Sequence, residues 1–127
     1  MDLRKATIED AKLLFDWRND RQTREMSRDT LELPWEDHVG WLTNRLQRDD
    51  HGVYIAEING VPVGTVRIDY DEISYTVAPE QRRKGVGEAM LFEAKKAFGQ
   101  KVAEVKRENM ASVKIAERAG HIVKLID

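Results

Sequence analysis

The chain has 127 residues, 41% hydrophobic and 35% charged, which suits one core under a densely charged surface. Lys+Arg number 21 against 23 Asp+Glu, and a net charge of -2 argues against a dedicated duplex-DNA binder, which carries a basic excess. The absence of cysteine excludes a disulfide framework, a zinc-thiolate site and a cysteine nucleophile.

MDLRKATIED has no apolar signal core, and no apolar run approaches the ~20 residues of a membrane helix. A soluble, cytoplasmic, single-domain protein over residues 1–127 is expected, with no nucleic-acid or membrane partner. Residues 2 to 6 read as a first strand. Thr7 follows as a helix N-cap, with Glu9 and Asp10 in the first turn and Ile8, Ala11, Leu14, Phe15 and Arg18 at helical spacing. NDRQTREMSRD reads as a polar connector. Pro34 suits a helix start, and Trp35, Val39, Leu42 and Leu46 form an apolar stripe, so 34–47 is predicted helical.

The period then changes. VYIAEINGVPVGTVRIDY contains two β-rich runs around Asn59-Gly60, a pair that supplies the positive φ angles of a two-residue hairpin turn. After a turn near Asp69 to Asp71, EISYTV is the next strand. Residues 84–98 read as a helix ending at Gly99, and KVAEV as a short strand. Asn109 opens a last helix, stopped by Gly120, and HIVKLI is a final strand. The order β-α-α-β-β-β-α-β-α-β predicts an α/β (α+β) fold with a mixed central sheet and helices on both faces.

The junction TVAPEQRRKGVGEA joins a strand to a helix through Arg82, Arg83, Lys84, Gly85 and Gly87. Helix N-termini leave amides open and carry partial positive charge, and glycines let an anion approach them. The stretch fits a phosphate cradle, or else a solvated basic loop at a frayed helix start. It is neither a Walker A loop nor a G-x-G-x-x-G fingerprint.

VAPEQRRKGVG resembles the acetyl-CoA loop of the GNAT N-acetyltransferases, V-x-P-x-x-R/Q-x-x-G-x-G/A, with Val77, Pro79, Arg82, Gly85 and Gly87 at each defined position. AEVKRENMASVKIAERAGH resembles the family's strand-helix block E-V-x-x-x-N-x-x-S/A-x-x-x-Y-x-x-x-G-F. The resemblance covers essentially the whole chain. It implies a GNAT fold, acetyl-CoA as donor and no metal. Tyr75, Thr76 and Val77 would lie along the pantetheine arm. Arg83, Lys84, Gly85, Val86, Gly87 and Glu88 would wrap the pyrophosphate, with Arg82 as a further cofactor-binding residue. Asn109 and Ser112 would contact the CoA arm, although Asn109 is also an ideal N-cap and both roles can coexist.

Amide formation from a thioester needs a deprotonated amine, donors for the developing oxyanion, and an acid for the departing thiolate. The family supplies one donor from the backbone of the TV strand. Glu104 matches a glutamate base of ribosomal-protein N-terminal acetyltransferases; otherwise it is a strand carboxylate pairing with Lys106. The family's acid tyrosine falls at Ala116, so Tyr75 becomes the candidate donor, provided that it rather than Thr76 faces the cleft. His121 stands where the family usually has Phe, and little chain follows HIVKLI, where a further strand often helps to build the substrate wall. WRNDRQTR, WEDHVGWL (with His38 and Trp41) and AEVKRENMAS resemble a branch that includes amino-sugar nucleotide acetyltransferases. The implied acceptor is a small-molecule amine, with a protein N-terminal amine as the alternative and a CoA-binding module without catalysis as another. Trp17, Arg18 and Asn19 would contact the acceptor, or else pack and solvate in the ordinary way. A monomer or homodimer is expected.

Overall fold

The alternating runs fold into β1 (Asp2–Lys5), β2 (His51–Ile58), β3 (Val61–Asp69), β4 (Glu72–Val77), β5 (Val102–Lys106) and β6 (Ile122–Ile126). The computed structural model describes residues 1–27, 30–48 and 51–127, with His51 as backbone alone. The helices are α1 (Ala11–Asn19), α2 (Arg21–Glu25), α3 (Trp35–Leu46), α4 (Val86–Phe98) and α5 (Met110–Arg118). The strands lie side by side in chain order. β1 to β4 pair antiparallel, whereas β5 and β6 join in parallel. This is the mixed sheet that the change of period predicts. The β2–β3 turn carries Asn59 at φ 53 and Gly60 at φ 78, as its Asn-Gly pair requires.

Each face of the sheet has its own core. Val66, Met90, Leu91, Ala94, Val105 and Ala116 belong to the cluster under α4 and α5. Leu14, Trp17, Leu42, Val53 and Ile55 belong to the one under α1 and α3. The apolar stripes of the helices meet alternate side chains of the strands, so both faces are covered.

Three local outcomes differ from expectation. The first predicted helix opens as a 3-10 turn (Ile8–Asp10), where the Asp10 carboxylate accepts the Thr7 amide at 2.8 Å and two bonds from Arg4 at 2.8 Å. The polar connector contains α2, which Asp20 caps by accepting the Thr23 amide at 3.1 Å. Arg28 and Asp29 of that connector lie outside the described residues. The helix expected from 84 starts at Val86, because Arg83 at φ 64 and Gly85 at φ 76 are left-handed and end helical continuity. At position 121, histidine does what a phenylalanine cannot. Its Nε2–H donates to the Leu91 carbonyl at 2.9 Å and its Nδ1 accepts the Lys101 amide at 3.0 Å, joining α4 to the start of β5.

Candidate active site

β4 and β5 run parallel yet share a single paired position among the described residues, Glu72 with Val102. Beyond it they separate. The Ala78 amide bonds Val63 on the β3 side, at 2.9 Å, and the Asp71 carbonyl accepts Val102 on the β5 side, at 2.6 Å. Peptide direction alternates along a strand, so the N–H and C=O groups of Tyr75 and Val77 point into the gap. Two donors and two acceptors at this spacing suit an extended ligand that carries amides of its own. The gap widens into a cleft of about 880 Å³ bounded by β4, β5, α2, the 81–87 loop and the first turn of α5.

The helix start beside the gap has the form of an anion cup. Ala89 makes the first bond back to Gly85, at 3.2 Å, so the amides from Gly85 to Glu88 are those that a helix start leaves open. A side chain at Gly85 would meet nothing within 4 Å, so this glycine is required by its φ of 76 and leaves room for a ligand. Gly87 is required by closeness instead. A Cβ there would lie 3.0 Å from the Tyr75 ring. These features fit a pyrophosphate held by backbone amides.

The expected cradle residues divide. Arg83, Gly85, Val86 and Gly87 line the cleft, as do Tyr75, Thr76 and Val77 on the facing strand. Lys84 is exposed and stands off its wall, and Glu88 turns outward to within 3.5 Å of Arg118. Arg82 lines the cleft, but its guanidinium is bonded to Asp20, with a second bond of 3.1 Å to Thr23 Oγ1. The loop motif marks Arg82 and gives no hint of its partner, because Asp20 is far away in the chain.

Tyr75 and Thr76 point to opposite faces. Tyr75 packs against the core cluster that contains Ala116, and its hydroxyl donates to Ser112 Oγ at 2.8 Å. Burial pushes the Tyr75 phenol above its usual 10, and the bond to Ser112 offsets part of that rise. Asn109 both caps α5, by accepting the Ser112 amide at 3.3 Å, and lines the cleft. Glu104 lines the opposite bank. Its neighbour in register is Lys124 on β6, with Nζ 3.9 Å from the carboxylate. The expected partner, Lys106, reaches instead across to the Glu25 carbonyl at the end of α2, at 3.1 Å.

A second cavity of about 200 Å³ opens on the α1/α3 face. Trp17, Arg18 and Asn19 all line it, together with Arg24, Trp41 and Arg67. Its lining among the described residues includes three arginines and no carboxylate. The Arg18 guanidinium lies 4.6 Å and that of Arg67 5.5 Å from the Trp41 ring centroid. Trp17 is buried and also belongs to the core. The Asn19 amide is engaged with the backbone of Leu33, accepting at 2.9 Å and donating at 3.1 Å, so it shapes the wall. Thr23, Ser27, Arg67 and Thr76 line both this cavity and the larger cleft, so the two spaces adjoin at Thr76 on β4. Arg67 escaped the sequence reading because a strand arginine is a common surface residue until its neighbours are known.

No helix among the described residues is long and apolar enough to cross a membrane. The model of the Acetyltransferase (GNAT) family matches residues 13–121. No curated protein matches the chain in sequence. Among solved structures, the spermidine N-acetyltransferase of Vibrio cholerae in complex with CoA and spermine superposes with a TM-score of 0.80 at 15% identity, over 94% of this chain and 79% of that one. A ribosomal-protein-alanine N-acetyltransferase from Brucella melitensis gives a TM-score of 0.73 at 25% identity, over 94% and 83%. An aminoglycoside acetyltransferase in complex with coenzyme A gives 0.74 at 20% identity, over 93% and 82%.

Proposed function

The chain belongs to the GNAT family of acetyltransferases, which use acetyl-CoA as donor, and on that premise we propose that it acetylates the primary amine of a small anionic molecule by direct attack in a ternary complex. An amino-sugar nucleotide is the first choice of acceptor. The carrying observation is the opening of β4 away from β5 beside the glycine-started helix α4, which supplies strand amides and an anion cup to one extended ligand.

Bound acetyl-CoA supplies a thioester whose carbonyl carbon an amine can attack. The residues of this chain do the rest. The amides of Tyr75 and Val77 are preset donors on the gap side of β4, suited to hold negative charge on a carbonyl oxygen. Thr76 places that position next to the second cavity, where the acceptor would lie. Glu104, on the facing bank, takes a proton from the acceptor's ammonium group, and the free amine so formed attacks the thioester. The Tyr75 hydroxyl, held by Ser112, returns a proton to the departing sulfur and replaces the tyrosine that position 116 lacks. Arg18 and Arg67 hold the anionic part of the acceptor, since guanidinium groups pair with phosphate and carboxylate in a fixed geometry.

The arginine lining counts against polycations, so a spermidine-like acceptor is disfavoured despite the Vibrio neighbour. A protein N-terminal amine is the second reading, supported by the Brucella neighbour at 25% identity. Ala116 supports a third, a CoA-binding module without catalysis. Calorimetry with acetyl-CoA, followed by free-thiol release over nucleotide amino sugars, N-terminal peptides and polyamines, separates them. Lack of binding at millimolar acetyl-CoA removes all three, and binding without thiol release on any amine leaves only the third.

A further inference from the structure

The five residues of α2 are too few to be stable as an isolated helix, and none of them is buried. Core packing therefore does not decide where α2 sits. Polar ties do. At its start, Asp20 accepts from the Thr23 amide at 3.1 Å, the Thr23 hydroxyl at 3.2 Å and the Arg82 guanidinium. At its end, Lys106 of β5 donates to the Glu25 carbonyl at 3.1 Å. The helix thus lies as a strap over the cleft, moored to the 82–85 loop on one bank and to β5 on the other.

The strap also belongs to the second cavity. Thr23 and Arg24 line it, and the Arg24 Nε–H donates to the Asn19 carbonyl at 3.1 Å, next to the Asn19 amide that holds Leu33. An unbroken path of bonds therefore runs from Arg82, in the anion-cup loop, through Asp20 and Thr23 to the wall of the acceptor cavity. Both members of the ion pair are about three-quarters buried, with side-chain exposures of 25% and 23%, so solvent screens the pair less than a surface one. Burial raises the Asp20 carboxyl pKa, but the bonds from Arg82 and Thr23 outweigh it and keep the group below its ordinary range, hence ionised.

We propose that Asp20 is a positioning residue that couples the two ligand sites: through Arg82 it makes the placement of α2, and with it the acceptor wall, depend on occupancy of the CoA loop. This rests on the donor reading above. An anion settled on amides 85–88 orders the loop, the ordered loop fixes Arg82, and Arg82 fixes the N-cap of α2. By linkage, a displaced α2 weakens CoA binding by the same factor.

Asp20→Asn isolates the effect. Asparagine caps a helix about as well as aspartate, so the cap survives and only the charge pair with Arg82 is lost. Arg82→Gln does the same from the other side, with a residue that the loop pattern accepts. Amide hydrogen exchange with and without CoA reads the coupling. In the wild type, CoA should slow exchange about fivefold or more both at 86–90 and at 21–26. In either variant the slowing at 86–90 should remain while that at 21–26 is largely lost. Retained slowing at 21–26 in both variants overturns the proposal, as does a wild type protected at 86–90 alone. A wild type unaffected at both segments overturns the donor reading, and the proposal falls with it.

Discussion

The Tyr75 hydroxyl donates a 2.8 Å hydrogen bond to Ser112 Oγ, tying β4 to the first turn of α5 at the wall of the cleft. Ser112 lies one helical turn before Ala116, where the family's acid tyrosine stands, so a phenol from the strand reaches the region that a phenol from the helix serves elsewhere. Tyr75→Phe removes one oxygen and keeps the packing against Gly87. On this reading kcat falls about 100-fold with little change in the KM for acetyl-CoA. Because burial raises the Tyr75 pKa, the wild-type rate should hold up to pH 10 as far as this group is concerned. An unchanged kcat in the phenylalanine variant would remove Tyr75 as the acid.

Glu104 faces the gap from β5 with Lys124 at 3.9 Å, too far for a tight pair. As the base, it is most needed at neutral and acid pH, where most of the amine is protonated. Glu104→Gln should lower kcat at pH 7 by about 100-fold, with less effect in alkali where free amine is abundant. Equal pH profiles for variant and wild type exclude the assignment.

Gly85 holds φ 76 at the mouth of the anion cup. A β-branched side chain there opposes the left-handed backbone and stands where a pyrophosphate would approach the amides. Gly85→Val should raise the Kd for CoA at least tenfold, measured by calorimetry. Wild-type affinity in this variant would contradict the cradle geometry.

The Arg18 and Arg67 guanidinium groups each lie against the Trp41 ring, and all three residues line the second cavity. A charged hydrogen bond contributes about 1.5–3 kcal/mol, so Arg18→Gln should raise KM for phosphate- or carboxylate-bearing amines by roughly tenfold or more. Neutral and cationic amines should be unaffected or improved. A uniform loss over the whole amine panel would point to a damaged wall and away from anion recognition.

His38 is fully buried between Phe15, Trp35 and Trp41, with Nε2–H donating to the Ala11 carbonyl at 2.9 Å. Burial lowers its pKa below the ordinary 6.5, the Ala11 bond opposes the shift, and the Arg18 charge adds to it. The unfolded chain therefore takes up this proton first. Stability is complete above about pH 6.5 and declines as pH falls towards the folded-state pKa, by at most about 1.4 kcal/mol per pH unit. Urea midpoints between pH 7.5 and 5 should show the decline, and His38→Gln should flatten it. An equal slope in that variant assigns the effect to other groups.

Much of this was legible in the chain. Asn59-Gly60 named its turn because only a few residues tolerate its φ angles. Gly85 is legible as a left-handed start to α4, and two blocks of family-like sequence indicate the family, whereas the closeness of Gly87 to the Tyr75 ring has no sign in the chain. Asn109 was readable as a cap from residue type and place alone. Other features were hidden. α2 was read as connector because it has no apolar stripe, being held by charges and caps. The motif marks Arg82 as a cofactor residue but carries no sign of its bond to Asp20, and a shared strand face suggests Lys106 as the partner of Glu104, whereas Lys106 bonds the Glu25 carbonyl.

What the sequence determined by itself is what short-range physics controls: strand period, helix stripes, turn glycines and the glycine-opened start of α4. What the tertiary structure alone decided is which distant charges meet. Arg82 is 62 residues from Asp20, Glu104 finds Lys124 across a parallel pair, and Arg18 and Arg67 come from different elements to one indole. Side-chain spacing along the chain carries no information about these encounters. They follow from the order of the strands and from the separation of β4 and β5, beside which the larger cleft and the smaller cavity adjoin at Thr76.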